Sequence, residues 1–224
     1  MRTLRILLMS VLALAWLPAV CQQTPEQGRN GNQPRAQQDA LLQQLRANPA
    51  APMTEAERLG LVRMIEEVQA SRDFYLKINE EWEFNVFAAI AEHEQTHVDL
   101  LAAVANKYKL DAPLHNKPGM YVNGLVQARY DSLHRAGLVN FREGIRSAAF
   151  EEETALATLQ RLRKAAVNPD LVLVYDEGLR CTRNELRQIW ETLDRLGYTY
   201  TPKKITRAQW DEIAQSPMET GPVQ

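Results

Sequence analysis

The chain has 224 residues, a net charge of −2 and a pI near 6.1. It is long enough to bury a full core, but it lacks the clustered basic surface that nucleic acid as a main partner requires. Its 10 glycines stand among plentiful Leu, Ala, Glu, Gln and Arg, which favours helix and argues against a β-rich fold.

Arg2 and Arg5, followed by the apolar run Ile6 to Val20, have the build of an export signal over residues 1–21, removed from the mature protein. A retained membrane anchor is the alternative, although the run is shorter than the roughly 20 residues usually needed to span a bilayer. Leu17-Pro18-Ala19-Val20 before Cys21 is similar to a bacterial lipoprotein cleavage box, from which Pro18 and Val20 depart. A lipidated Cys21, attached to an envelope membrane, therefore stands beside simple loss with the signal. Either way Cys181 is left as the single thiol, so the fold has no disulfide framework and must stand on packing. Residues 22–53, rich in Gln, Asn, Pro and Ala without an apolar period, read as a flexible tether.

A helical bundle is predicted over residues 54–200. Thr54-Glu-Ala-Glu57 is a capping box opening a helix to about Asn79, with Leu61, Met64, Ile65, Val68, Tyr75 and Ile78 inward. A second helix runs from about Phe84 to Asn106. Asn140-Phe-Arg-Glu143 has the form of another capping box and starts a third, with Ile145, Ala149, Glu152, Leu156 and Leu159 inward. Asn168-Pro169 places an N-cap before a first-turn proline, and the fourth helix runs from there to Leu196, stopped by Gly197.

The first and second, and the third and fourth, of these helices have short links and should form antiparallel hairpins. Between the hairpins, Lys107 to Val139 is enough chain to travel the length of a bundle, with a short helix from Leu125 to Ala136. An all-α, ferritin-like four-helix bundle has this layout: two antiparallel hairpins joined by a long crossover. Residues 201–224 form a tail, with a short helix from Thr206 to Ile213 packed outside.

At about 100° per residue, Phe87, Ile90, Glu94, His97, Leu101 and Val104 share one core-facing arc of the second helix. A carboxylate and an imidazole thus point where leucines belong, and burial of an unpaired carboxylate costs several kcal/mol. Glu152 lies inside the apolar arc of the third helix, whereas Glu67 and Glu185 sit at the shoulders of theirs. Glu66, Glu92, Glu151 and Glu177 point away and read as solvated surface charge. Glu67, Glu94, His97, Glu152 and Glu185 all fall near mid-helix, so an antiparallel bundle brings them to one level. Four carboxylates and an imidazole suit two iron or manganese ions. The competing reading is metal-free: a hydrogen-bonded polar core, or carboxylates neutralised by Arg72, Arg180, Arg183 or Arg187.

Leu61 to Tyr198 resembles the DUF2202 group of ferritin-like proteins. The matching pieces are Ser71-Arg-Asp-Phe-Tyr75, Ile90-Ala-Glu-His-Glu-Gln-Thr-His97, the crossover stretch Leu125 to Leu138 around Tyr130-Asp-Ser-Leu, Phe150-Glu-Glu152 and Thr182-Arg-Asn-Glu-Leu-Arg187. The resemblance implies a rubrerythrin-like bundle with a two-metal carboxylate centre. The chain departs from that pattern at two places. Valine, at Val68, takes the third slot of an acidic triplet, and Glu185 replaces a histidine, with Thr182 three residues before it. The implied site is lopsided or vestigial, with Glu94 and Glu152 bridging, His97 terminal, and Glu67 and Glu185 completing the shell. Tyr75 or Tyr175 is positioned to donate a hydrogen bond.

Three functions follow as expectations: an exported metal protein acting on oxygen or peroxide, a non-enzymatic helical envelope module with a metal-free polar core, and, less well supported, iron storage. No phosphate loop, nucleophile triad or cysteine knuckle points elsewhere.

Overall fold

A computed structural model describes residues 33–114 and 117–221. The export signal and Cys21 lie outside the described residues. Among the described residues seven helices follow one another: α1 (Gln33–Ala47), α2 (Glu55–Trp82), α3 (Asn85–Lys107), α4 (Gly124–Gly137), α5 (Phe141–Ala165), α6 (Pro169–Arg195) and α7 (Arg207–Gln215). No strand occurs among the described residues, and no helix there is long and apolar enough to cross a membrane.

The helix boundaries follow the capping chemistry. Thr54 and Glu57 form the reciprocal box that opens α2, while Asn168 caps α6 ahead of its first-turn proline. Asn140 caps α5 through the Glu143 amide, but the return bond is absent because Glu143 turns to Arg146, 2.9 Å away. A further box, Thr206 with Gln209, opens α7. Glu83, in the left-handed region at φ 46°, ends α2 and allows the immediate turn into α3.

α2 pairs with α3, and α5 with α6, as two hairpins; α3 against α6 and α2 against α5 close the four-helix bundle. Two close approaches set the spacing. A Cβ added at Gly60 would stand 3.0 Å from Leu162, and one at Gly178 would stand 3.2 Å from Leu159. The core between the helices is built from Leu61, Ile65, Ile78, Phe87, Ile90, Ile145, Leu156 and Ile189, all essentially without solvent contact. Burial of each such side chain contributes about 1.5–3 kcal/mol.

α4 lies across α2 and α5, so the crossover covers one seam of the bundle. A polar strip on α2 pins it there. Glu66 accepts from the Val122 and Asn123 amides at 2.6 and 3.1 Å, Gln69 donates to the Pro113 carbonyl at 2.8 Å, and Asp73 accepts from the Tyr121 hydroxyl at 2.7 Å. Glu66 is therefore buried, not the solvated charge predicted from the helical wheel.

The stretch read as a flexible tether is in part a helix. Leu41 and Leu45 of α1 are buried, and α1 packs on α3. Lys107 donates to the Leu45 and Asn48 carbonyls at 2.7 and 2.9 Å, satisfying the end of α1, while pairing with buried Asp170. The tail is pinned in the same manner: Glu153 accepts from the Tyr200 hydroxyl and from the Lys203 and Lys204 amides, and Arg183 and Arg187 hold Glu219.

Candidate metal centre

Glu94 of α3, Glu152 of α5 and Glu185 of α6 meet in the bundle core, each offering an oxygen within 4.8 Å of the others. All three are at least 95% buried. Each carboxylate has at least one oxygen partly satisfied. Ser71 donates to Glu94 Oε1 at 2.7 Å, Tyr75 donates to Glu152 Oε1 at 2.6 Å, and His93 Nδ1 lies 3.2 Å from Glu185 Oε1. Glu152 Oε2 and Glu185 Oε2 are buried and make no hydrogen bond. A buried carboxylate oxygen left in this way carries the full cost of its lost hydration.

The remaining predicted residues divide. His97 stands beside the cluster, its Nδ1 3.3 Å from Glu94 Oε2, and it also meets the Cys181 thiol. Glu67 is not brought to the cluster. Its Oε1 accepts from Arg63 at 2.7 Å, and Oε2 lies 3.7 Å from Arg129. Tyr175, predicted as an alternative donor to Tyr75, has a buried hydroxyl without a hydrogen-bond partner.

Arg72, Arg180, Arg183 and Arg187 do not fold inward. They pair with Asp73, Glu177 and Glu219. The arginine that does is Arg129, carried in by α4; its Nη2 is 3.4 Å from Glu151 Oε1. Glu151 is 1% exposed, a correction to its reading as surface charge, and Glu177 is likewise buried, against Arg180. Glu92 alone of the four residues so read is exposed. Three consecutive glutamates of α5 thus serve three neighbours: Glu151 meets Arg129, Glu152 the cluster, and Glu153 the tail.

Electrostatics follow from this crowding. Burial, reinforced by the charges of Glu185 and Glu94, pushes the Glu152 carboxyl well above the carboxylate range, against the opposing hydrogen bond from Tyr75. Burial also raises Glu151 to about 7, with Arg129 pulling it down and Glu94 and Glu67 pushing it up. The hydrogen bond to Glu185 raises His93 despite burial. Burial and its neighbours' charges thus favour the protonated form of Glu152, and a bound cation would act against it.

The donor set fits a metal ion. Three carboxylates from three helices converge with two oxygens unpartnered, and His93 and His97 flank them, a mixture suited to iron, manganese or zinc. His93, missed from the sequence, lies on the open side of α3, where its side chain is 35% exposed. Its signal was present: it precedes Glu94 directly and stands one helical turn before His97.

Residues 57–217 match the model of an uncharacterized protein domain, DUF2202. The uncharacterized protein MJ0754 of Methanocaldococcus jannaschii is 30% identical over 182 residues, which is 81% of this chain and 98% of that protein. A crystal structure of hypothetical protein MJ0754 superposes with a TM-score of 0.75 at 30% identity, covering 77% of this chain and 99% of that one. With most of its length matched by the family model, the chain belongs to the DUF2202 family.

Proposed function

We propose that this protein is a ferritin-like metal-binding bundle whose ion is held by Glu94, Glu152 and Glu185, flanked by His97 and His93. One observation carries the reading. Glu152 Oε2 and Glu185 Oε2 are buried in a cluster of three carboxylates with no hydrogen-bond donor, an arrangement a cation relieves directly.

Iron or manganese bound there supplies one-electron redox chemistry toward oxygen or peroxide. The chain's own residues set the conditions. Ser71 and Tyr75 fix one oxygen each on Glu94 and Glu152, which orients both carboxylates before any ion arrives. His93, about one third exposed and hydrogen-bonded to Glu185, is placed to carry a proton between Glu185 and water. Leu100, Leu101 and Leu159 close the pocket that lies against the Glu94 and His97 side.

The run from Arg2 to Val20 supports export, and Cys21 supports attachment to an envelope membrane. A second reading, a metal-free polar core in a helical envelope module, draws on the hydrogen bonds from Ser71, Tyr75 and His93.

Metal analysis of natively purified protein separates the two, set beside a Glu94→Ala, His97→Ala variant and followed by chelation with thermal unfolding. Stoichiometric iron or manganese in the native protein alone, with a fall in Tm on chelation, is the expected result. Negligible metal in both proteins and an unchanged Tm would sink the metal reading and leave the polar core.

A further inference from the structure

A two-ion centre needs ligands on both sides of Glu94, and on one of those sides this chain places an arginine among the carboxylates. On the side of Glu152 and Glu185 the carboxylates converge. On the other side a cavity of about 20 Å³ is lined by Val68, Thr182, Glu67, Glu151 and Arg129, together with Glu94. Valine has no donor atom, and the threonine hydroxyl is a poor ligand beside a carboxylate. The cavity has room for about one water molecule.

The carboxylates on that side, Glu67 and Glu151, face an arginine, although Oε2 of each makes no hydrogen bond. Arg129 reaches in from α4 to Glu67 at 3.7 Å and to Glu151 at 3.4 Å, and a further hydrogen bond joins Arg129 Nη2 to the Glu67 carbonyl at 3.4 Å. Arg63 takes the other Glu67 oxygen. A guanidinium stays charged at every physiological pH, so this cation is permanent. One divalent ion brings the charge of Glu94, Glu152 and Glu185 from −3 to −1. A second, on the side of Glu67 and Glu151, would lie against the Arg129 guanidinium in a low-dielectric interior, where like charges repel most strongly.

We propose that the cluster takes a single divalent ion, held by Glu94, Glu152 and Glu185, and that Arg129 serves in place of a second. This rests on the metal reading above, and it makes Arg129 the residue that sets how many ions bind.

The test uses manganese alone. Chelated protein is reloaded anaerobically with excess Mn(II), freed of unbound ion by gel filtration, and measured for metal per chain and by electron paramagnetic resonance. The expected result is one manganese per chain with the six-line signal of an isolated ion. Two per chain with the spectrum of a coupled pair would overturn the single-ion inference and leave metal binding standing. No retained manganese would overturn metal binding, and the inference with it.

The role of Arg129 has its own arm, with folding checked by circular dichroism. Arg129→Gln frees Glu67 and Glu151 and is expected to move the stoichiometry toward two, while Arg129→Lys, which keeps the charge, stays at one. A folded Arg129→Gln protein that still holds one ion would overturn the assignment to Arg129. Should that variant fail to fold, two ions in Arg129→Lys would overturn it as well.

Discussion

The Tyr75 hydroxyl donates to Glu152 Oε1 at 2.6 Å, joining α2 to α5 through two groups that are both fully buried. It is the one side-chain hydrogen bond Glu152 receives, because Oε2 has none. Tyr75 also reaches the Ala148 carbonyl at 3.3 Å. Tyr75→Phe removes the donor without changing the ring packing against Phe74. Thermal unfolding of the metal-free variant should show a loss of about 1–3 kcal/mol, the cost of leaving a buried carboxyl unpaired. The same hydrogen bond holds the Glu152 carboxyl down against burial, so its loss raises that group further. Protons then compete better with metal, and manganese titrations should show the midpoint pH for binding move upward. An unchanged midpoint would place Glu152 outside the ligand set.

Metal-free protein should lose stability as pH rises from about 4.5 to about 7. Glu151 has an ordinary value of 4.5 and is raised to about 7 by burial. Its folded form therefore holds a proton that the unfolded chain has already released. A group of this sign contributes fully below 4.5, and its contribution is lost through the interval up to about 7. The size is on the order of 3 kcal/mol for this group, and Glu152 adds in the same direction. Urea unfolding at pH 5 and pH 8 measures it. With saturating Mn(II) the slope should flatten or reverse, since the ion replaces the proton at Glu152.

Glu152→Gln should have opposite effects with and without metal. At pH 8 and free of metal, the glutamine needs no proton to sit among Glu94 and Glu185, so the variant should be more stable than the native chain by about 1 kcal/mol or more. With manganese at about 100 times its Kd, the native chain gains about 2.7 kcal/mol that the variant lacks, and the order inverts. Paired melting curves with and without manganese test this; a variant less stable under both conditions would favour a purely structural Glu152.

The bundle was legible in the sequence because periodicity and caps are local. Thr54 with Glu57, and Asn168 before Pro169, start helices where they were predicted. Glu94, His97 and Glu152 were legible for the same reason, since each interrupts an apolar arc. What escaped was everything decided by a neighbour outside the bundle. Glu66 and Glu151 point away from the apolar stripe, yet α4 and its flanks cover them, and a helical wheel carries no information about what lies over its polar side. Arg129 was invisible as a site residue because its partners, Glu67 and Glu151, lie 62 and 22 positions away in sequence. The helix at α1 was missed because Leu41 and Leu45 make only a narrow apolar stripe among glutamines.

Glu57 is a strongly depressed carboxyl, and its pH signature opposes that of Glu151. Its Oε1 accepts from the Val167 and Asn168 amides at 2.8 and 2.9 Å, and its Oε2 from the Thr54 amide at 2.8 Å, tying the start of α2 to the turn between α5 and α6. Burial acts to raise the group, but these backbone donors outweigh it and bring the carboxyl from 4.5 down to about 2. A lowered folded value contributes stability above 4.5 that is lost as pH falls toward 2. Glu57→Gln keeps the shape and removes the charge, and its amide nitrogen faces a donor in place of one acceptor. The variant should be about 2 kcal/mol less stable at pH 7. The difference should shrink toward zero near pH 2, where the native carboxyl is protonated. Urea midpoints of both proteins at pH 7, 4 and 2.5 measure this; a deficit that stays constant across that range would mean that the charge of Glu57 contributes nothing and that only its shape matters.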